Sequence, residues 1–482
     1  MSMVAVVVCC AAAAPAGRGY GGTAHRAARQ RRHRPRSPEQ CGHMGGDASS
    51  FHECGGVTYC CGVCNGTTRC VLPRGSKLEW CACGHSTCDV AVPRLPPPDP
   101  SRRPPADAVP LDHTARWQPA WTRELVPGDV DAEPPGCHLC VRYAVLDGQL
   151  HRNVADAEKL KTENPGVYDD RLLAYEDIVA HAVTGLGNCV SDAVAWVSYA
   201  DECPCRGPVF CYASVGADCE ALLMPSFRSW REESRWTVQE VAEVQACSAE
   251  RFPADGKLRL AVWRGSTTGR QAALDISGNN EWIDLPRVKL ALLGKAYPDL
   301  LDTAVSTVVQ LGPEQTEAAR LLLTRPTSAM TAPTWMNKED FQEYAAVIDV
   351  DGNSWSQRFL GLLCQTSVVI KQRSEFREWF SSDLIPGVHY VEVRSDLADL
   401  VPKVKQVLQL TDTPDGRAEL AKMVAAANAF CRKGLHRDVM ATAMLAGWTA
   451  LAKHTPPTFN VSALVTNGGR FESIGPVGRQ CS

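Results

Sequence analysis

Short apolar runs with strand character recur along the chain and alternate with longer stretches of helical spacing. The runs are DAVAWVSYAD (192–201), KLRLAVWRGS (257–266), EYAAVIDVDG (343–352), TSVVIKQ (366–372) and VHYVEVR (388–394). They are rich in β-branched and aromatic residues, which predicts buried strands. DRLLAYEDIVAHAVTGL, QRFLGLLCQ, LADLVPKVKQVLQL and GRAELAKMVAAANAFCRKG predict helices around them. In HRDVMATAMLAGWTALAKH, Val439, Met440, Ala443, Met444, Gly447 and Leu451 form one apolar stripe, the pattern of a packed helix. Further upstream, CVRYAVLDGQL alternates apolar residues into an Asp-Gly turn, predicting a strand and a tight reversal. Alternating strands and helices imply parallel sheets and an α/β architecture. No period of 20 to 50 residues repeats.

Composition narrows the class. With 482 residues, 45% hydrophobic and 22% charged, the chain can build more than one core. A net charge of −4 argues against nucleic acid as the main partner. No apolar run approaches the roughly 20 residues that span a bilayer. The 22 cysteines are dense for a cytosolic enzyme. Cys41, Cys54, Cys60, Cys61, Cys64, Cys70, Cys81, Cys83 and Cys88 crowd one Gly-rich stretch, which reads as a disulfide-stapled module; zinc ligation is the alternative. A Pro-rich segment (93–110) then reads as a stiff linker. Cys137 and Cys140 read as a structural disulfide. Asn65-Gly66-Thr67 and Asn460-Val461-Ser462 fit the N-glycosylation acceptor pattern. These features favour the secretory pathway (ER lumen or Golgi). The Arg-rich, acid-poor segment after MVAVVVCCAAAAPAG leaves a plastid or other organelle as the alternative.

Two turns carry candidate chemistry. In AVWRGSTTGR (261–270) a strand enters a Gly-Ser turn bracketed by Arg264 and Arg270; Gly265 allows close backbone approach and Ser266 offers a hydroxyl. In IDVDGNSWSQRF (348–359), Asp349 and Asp351 have the spacing of a divalent-metal pair. The same stretch also reads as a phosphate cradle: Gly352 turns the chain, Ser354 or Ser356 caps a helix, and Arg358 forks onto a diphosphate. The residues alone leave both readings open.

The stretch from Glu343 to Leu400 resembles the core of the Rumi-type protein O-glucosyltransferases and capsule-associated xylosyltransferases, glycosyltransferase family 90. It carries Gly352, Ser356 and Arg358, the SVVIKQ strand, and EFREWFSSDLIPGVHYVEV, with His389-Tyr390 as a structural pair at a strand end. LAVWRGSTTGR is similar to the family's aromatic-Arg-Gly-Ser turn, and RVKLALLGKAYPDLLD follows in family order. The resemblance covers residues 137 to 455 and is tightest in its C-terminal half.

It implies a GT-B fold, two Rossmann-like halves facing each other across a cleft, here with an N-terminal Cys-rich extension. The expected division is a leader (1–40), a Cys-rich module (41–92), a linker (93–136), an acceptor-side half (137–255), a donor-side half with the C-terminal helices (256–455) and a tail (456–482). It also implies inverting transfer of glucose or xylose from a UDP-sugar co-substrate to a hydroxyl of a protein or glycan, with no metal or other cofactor. Arg264, Gly265, Ser266, Arg270, Gly352, Ser356 and Arg358 are the expected donor contacts. Asp201 is the expected base, although DECP carries one extra residue and lets Glu202 compete for the role. Trp230 falls in the family's acceptor segment. The altered DECP motif also admits a catalytically inactive scaffold that binds nucleotide sugar or glycan, and Asp349-Val350-Asp351 a metal-dependent GT-A enzyme.

Overall fold

The computed structural model describes residues 51–54, 57–64, 67–71, 124–126, 128–131, 133–182, 191–203, 207–215, 219–235, 237–269, 281–323, 336–456, 458–466 and 471–476. The leader, the Pro-rich segment, the cysteine pairing of the Cys-rich module and Arg270 lie outside these residues. Within that module, β1 (Phe51–Cys54), β2 (Val57–Cys64) and β3 (Thr67–Val71) form an antiparallel sheet.

Two larger sheets organise the rest. The first contains β4 (Cys140–Leu146), β5 (Gln149–Asn153), β6 (Ala193–Ser198), β7 (Val209–Cys211) and β9 (Leu222–Leu223). β4 and β5 join through Asp147 (φ 51°) and Gly148 (φ 70°), the two left-handed positions that a two-residue hairpin demands. The expectation of parallel sheets holds only in part here. β6, β7 and β9 run parallel, while β4 and β5 are antiparallel. The last strand of the chain, β16 (Phe471–Pro476), returns to pair with β5.

The second sheet is wholly parallel, in the order β11 (Leu301–Thr307), β10 (Leu258–Ser266), β12 (Tyr344–Asp349), β13 (Val368–Gln372), β15 (Val391–Val393). Its side chains alternate between two cores. Ala261, Trp263, Ala346, Ile348, Val368 and Ile370 face one, with the helices Pro286–Ala296 and Leu400–Leu410. Val262, Val347 and Val369 face the other, which continues into the first sheet.

From β10 the chain winds to β11 on one side, then to β12 on the other. That reversal is a topological switch point, and ligands of open α/β sheets bind beyond the carboxyl ends of the strands there. A short ladder ties the halves together, with β8 (Ala213–Val215) antiparallel to β14 (Phe376–Glu378).

The two halves interleave in sequence. The helix Arg437–Lys453, expected on the donor side, packs with the first sheet: Met440, Met444 and Trp448 share its core, and Phe210 and Trp448 lie 5.2 Å apart. Gly447 makes this approach possible, since a Cβ there would sit 2.5 Å from the Phe210 ring. The expected stripe is buried at Met440, Ala443, Met444, Gly447 and Leu451.

Candidate active site

The carboxyl ends of β10 and β12 gather the charged side chains. Asp349 closes β12, fully buried, and Lys371 lies opposite it in register on β13. The Lys371 ammonium sits 3.0 Å from Asp349 Oδ2 and 2.6 Å from Asp351 Oδ1. Burial pulls its pKa down, but the two carboxylates outweigh this and raise it, so the ammonium stays charged. Ser356 Oγ donates to Asp349 Oδ1 at 2.5 Å.

The expected capped helix takes a different form. The helix after this loop is only Phe359–Leu362, begins at Arg358, and has no side-chain cap. Ser356 is instead bonded to Asp349. The turn is therefore held from the strand below it and not from a helix terminus.

Above the acids lie two arginines. Arg287, second residue of the helix Pro286–Ala296, donates from Nε to the Asp351 carbonyl at 2.9 Å. Its Nη2 reaches the Val350 carbonyl at 3.2 Å, and its Nη1 reaches Thr268 Oγ1 at 2.6 Å. Burial, and then the charge of Arg358, push its pKa down to about 10. Arg358 donates from Nη1 to the Arg264 carbonyl at 2.5 Å, while its buried Nη2 has no hydrogen-bond partner. Burial lowers its pKa too, against the pull of Asp349. Two buried guanidinium groups, Arg287 lowered by the charge of Arg358 and Arg358 with an idle arm, make a site suited to an anion. Gly352 permits the arrangement, since a Cβ there would lie 3.0 Å from Arg287 Nη2.

The β10 turn contributes differently from expectation. Arg264 is buried and committed to β11, donating to Asp302 Oδ1 at 2.7 Å and to the Asp302 carbonyl at 2.6 Å; Tyr344 also donates to Asp302. The Arg264 backbone carbonyl joins the cluster through Arg358. Gly265 makes room for Trp263, whose ring would come within 2.6 Å of a Cβ there. Ser266 Oγ lies 3.2 Å from Thr268 Oγ1, within the same hydroxyl group that Arg287 reaches.

Asp201 stands just beyond β6, partly exposed, 3.0 Å from Arg171 Nη1, which also donates to the Tyr199 carbonyl at 2.5 Å. The Cys203–Cys211 disulfide ties this loop to β7. Glu202 is exposed beside it. Tyr212 follows that disulfide and packs 5.6 Å from Trp355 of the donor-side turn, so the two expected sites converge. The Tyr212 hydroxyl and Trp355 Nε1 are both buried without hydrogen-bond partners. Trp230 does not line this space. Its ring is fully buried, donates to Asp177 Oδ2 at 2.6 Å and lies under Arg437, so its place is the core. His389 accepts from the Ile385 amide and Tyr390 packs edge-on against Phe359, both structural roles. Cys137 and Cys140 form the expected disulfide. Arg287, Lys371, Tyr212 and Trp355 escaped the sequence reading. The Pro286-Arg287 opening of PRVKLALLGK was the one local signal among them.

The cationic cluster thus sits at the switch point of a parallel sheet, and the comparisons name the family. It matches glycosyl transferase family 90 over residues 193–458 and belongs to that family. It is similar to protein O-glucosyltransferase 3 of Rattus norvegicus, 32% identical over 119 residues, covering 25% of this chain and 21% of the relative. Protein O-glucosyltransferase 2 of Danio rerio is 37% identical over 99 residues, covering 20% and 19%. The uncharacterized protein 035R of Invertebrate iridescent virus 3 is 32% identical over 151 residues, covering 31% and 13%. The chain thus spans about a fifth or less of the length of these relatives. Among the described residues no helix is long and apolar enough to cross a membrane.

Proposed function

We propose that the chain is an inverting, metal-independent transferase of GT-B architecture that moves glucose or xylose from a UDP-sugar to a hydroxyl of a protein or glycan. The observation that carries this reading is the paired buried cations Arg287 and Arg358 at the sheet's switch point, with Arg358 Nη2 unpartnered. A diphosphate satisfies both. Its nucleoside and sugar would extend toward the Ser266–Thr268 hydroxyls and the Trp355–Tyr212 wall. Asp349 and Asp351 already hold an ammonium between them, which supports chemistry without a metal.

In the transfer itself, the acceptor oxygen bonds to the anomeric carbon as the bond from that carbon to the UDP oxygen breaks. Asp201 takes the acceptor proton, oriented by Arg171 and by the disulfide-tied loop. Charge growing on the departing diphosphate is met by Arg287 and Arg358, preorganised donors that need no rearrangement. The names of the relatives support a protein acceptor. The disulfides Cys137–Cys140, Cys203–Cys211 and Cys364–Cys431 support a secretory location.

Calorimetric titration with UDP in excess EDTA tests the reading. Binding by the wild type, lost in Arg358→Ala, is expected. Absence of UDP binding, or binding that needs an added divalent ion, overturns it.

A further inference from the structure

We infer that Lys371 is the resident cation of the donor site: its ammonium occupies the space between Asp349 and Asp351 that a divalent ion would otherwise take, and so positions the turn that holds Arg287. The inference deepens the proposed transferase reading and rests on it. Three observations carry it.

Lys371 lies 3.0 Å from one carboxylate and 2.6 Å from the other, is itself buried, and faces Asp349 in strand register, so its place is fixed by the sheet. The surroundings are acidic. Burial first, and then Asp351, Asp349 and Glu233, push the Glu378 carboxyl on β14 well above the usual carboxylate range, against the pull of Lys371. Buried like charges need a counter-charge, and Lys371 is the cation bonded to both aspartates. Finally, the carbonyls of Val350 and Asp351, on either side of the Asp351 clamp, are the two that receive Arg287. A chain of contacts therefore runs from the ammonium through the turn to the guanidinium. Lys371 touches no reacting atom in this account and is a positioning residue.

Removing the ammonium should leave a two-carboxylate site open to a hard divalent cation, which prefers oxygen ligands. The test compares wild type, Lys371→Ala and Lys371→Ala/Asp351→Asn, with Mn²⁺ as the probe, by electron paramagnetic resonance and by UDP release from the UDP-sugar. Wild type is expected to bind no Mn²⁺ here and to be indifferent to EDTA. Lys371→Ala is expected to bind one Mn²⁺, to lose about tenfold or more in kcat/KM in EDTA, chiefly through donor KM, and to regain most of it with Mn²⁺. The double variant should lose both the Mn²⁺ signal and the rescue. Full activity of Lys371→Ala in EDTA, or loss without Mn²⁺ binding, overturns the inference. If Lys371→Ala folds in neither condition, Asp351→Asn carries the test: a several-fold rise in donor KM supports the inference and unchanged kinetics overturn it. Should wild type turn over no UDP-sugar, the transferase reading has failed, and the Mn²⁺ signal still decides whether Lys371 fills a cation position.

Discussion

Replacing Arg287 by alanine isolates the diphosphate site from the rest of the fold. The side chain makes three hydrogen bonds, at 2.6, 2.9 and 3.2 Å, to Thr268, Asp351 and Val350. A guanidinium bonded to a phosphate contributes about 1.5–3 kcal/mol per charge-assisted hydrogen bond. Losing a two-bond contact therefore costs about 3–6 kcal/mol of ligand binding. Part of that returns, because Arg358 is freed from a neighbouring like charge. A net loss of about 2–4 kcal/mol remains, which weakens UDP affinity about 30- to 1000-fold. Calorimetry with UDP reads this directly, and circular dichroism confirms that the variant is folded. Arg287→Lys restores the charge without the fork and should fall between wild type and alanine. A folded Arg287→Ala whose UDP affinity lies within threefold of wild type would refute the assignment.

Arg264 should behave in the opposite way. Arg264→Met leaves Asp302 buried without its cation and should lower stability by about 3 kcal/mol or more, while UDP affinity in the folded protein stays within a few-fold. Chemical denaturation and calorimetry together check this. Lys257 predicts a pH effect. Its ammonium is bonded to the Gln342 carbonyl, Thr366 and Ser367, and burial pushes its pKa down to about 8. The unfolded chain holds that proton up to about pH 10.4, so stability should rise between about pH 8 and pH 10, by up to roughly 3 kcal/mol. Urea melts across that range should show the rise in wild type and a flatter profile in Lys257→Met. Asn460 is exposed, and its Oδ1 caps the Ala463 amide at 2.7 Å, which leaves Nδ2 for a glycan. Peptide mass spectrometry after enzymatic deglycosylation should find it occupied in protein taken from a secretory host, and an unmodified Asn460 would count against the compartment.

The strands around the site were legible because β6, β12 and β13, and β10 from Ala261 to Arg264, are buried on both faces and carry near-continuous apolar runs. β11 hid its buried segment behind Asp302, Thr303 and Ser306, and Gly475 and Pro476 kept β16 from reading as a strand. Side-chain roles were harder to read. An arginine after a strand looks the same whether it meets phosphate or an acid, and Arg264 meets Asp302, 38 residues away. Arg287 reaches Asp351 across 64 residues, and Lys371 owes its place to pairing with Asp349. Ser356 reads as a helix cap until the buried Asp349 beneath it is seen to accept its hydroxyl hydrogen bond. Such roles depend on strand order and register, which no local motif records. Family resemblance pointed to the two turns but could not distribute the work among their residues.

UDP release from UDP-glucose and UDP-xylose in excess EDTA, with wild type and Asp201→Asn side by side and candidate folded Cys-rich acceptors present, tests the central claim most directly. The account predicts turnover of one donor by the wild type and a fall of about a hundredfold or more in Asp201→Asn with UDP binding retained. Turnover that survives in Asp201→Asn, or that appears only when a divalent metal is added back, would contradict it.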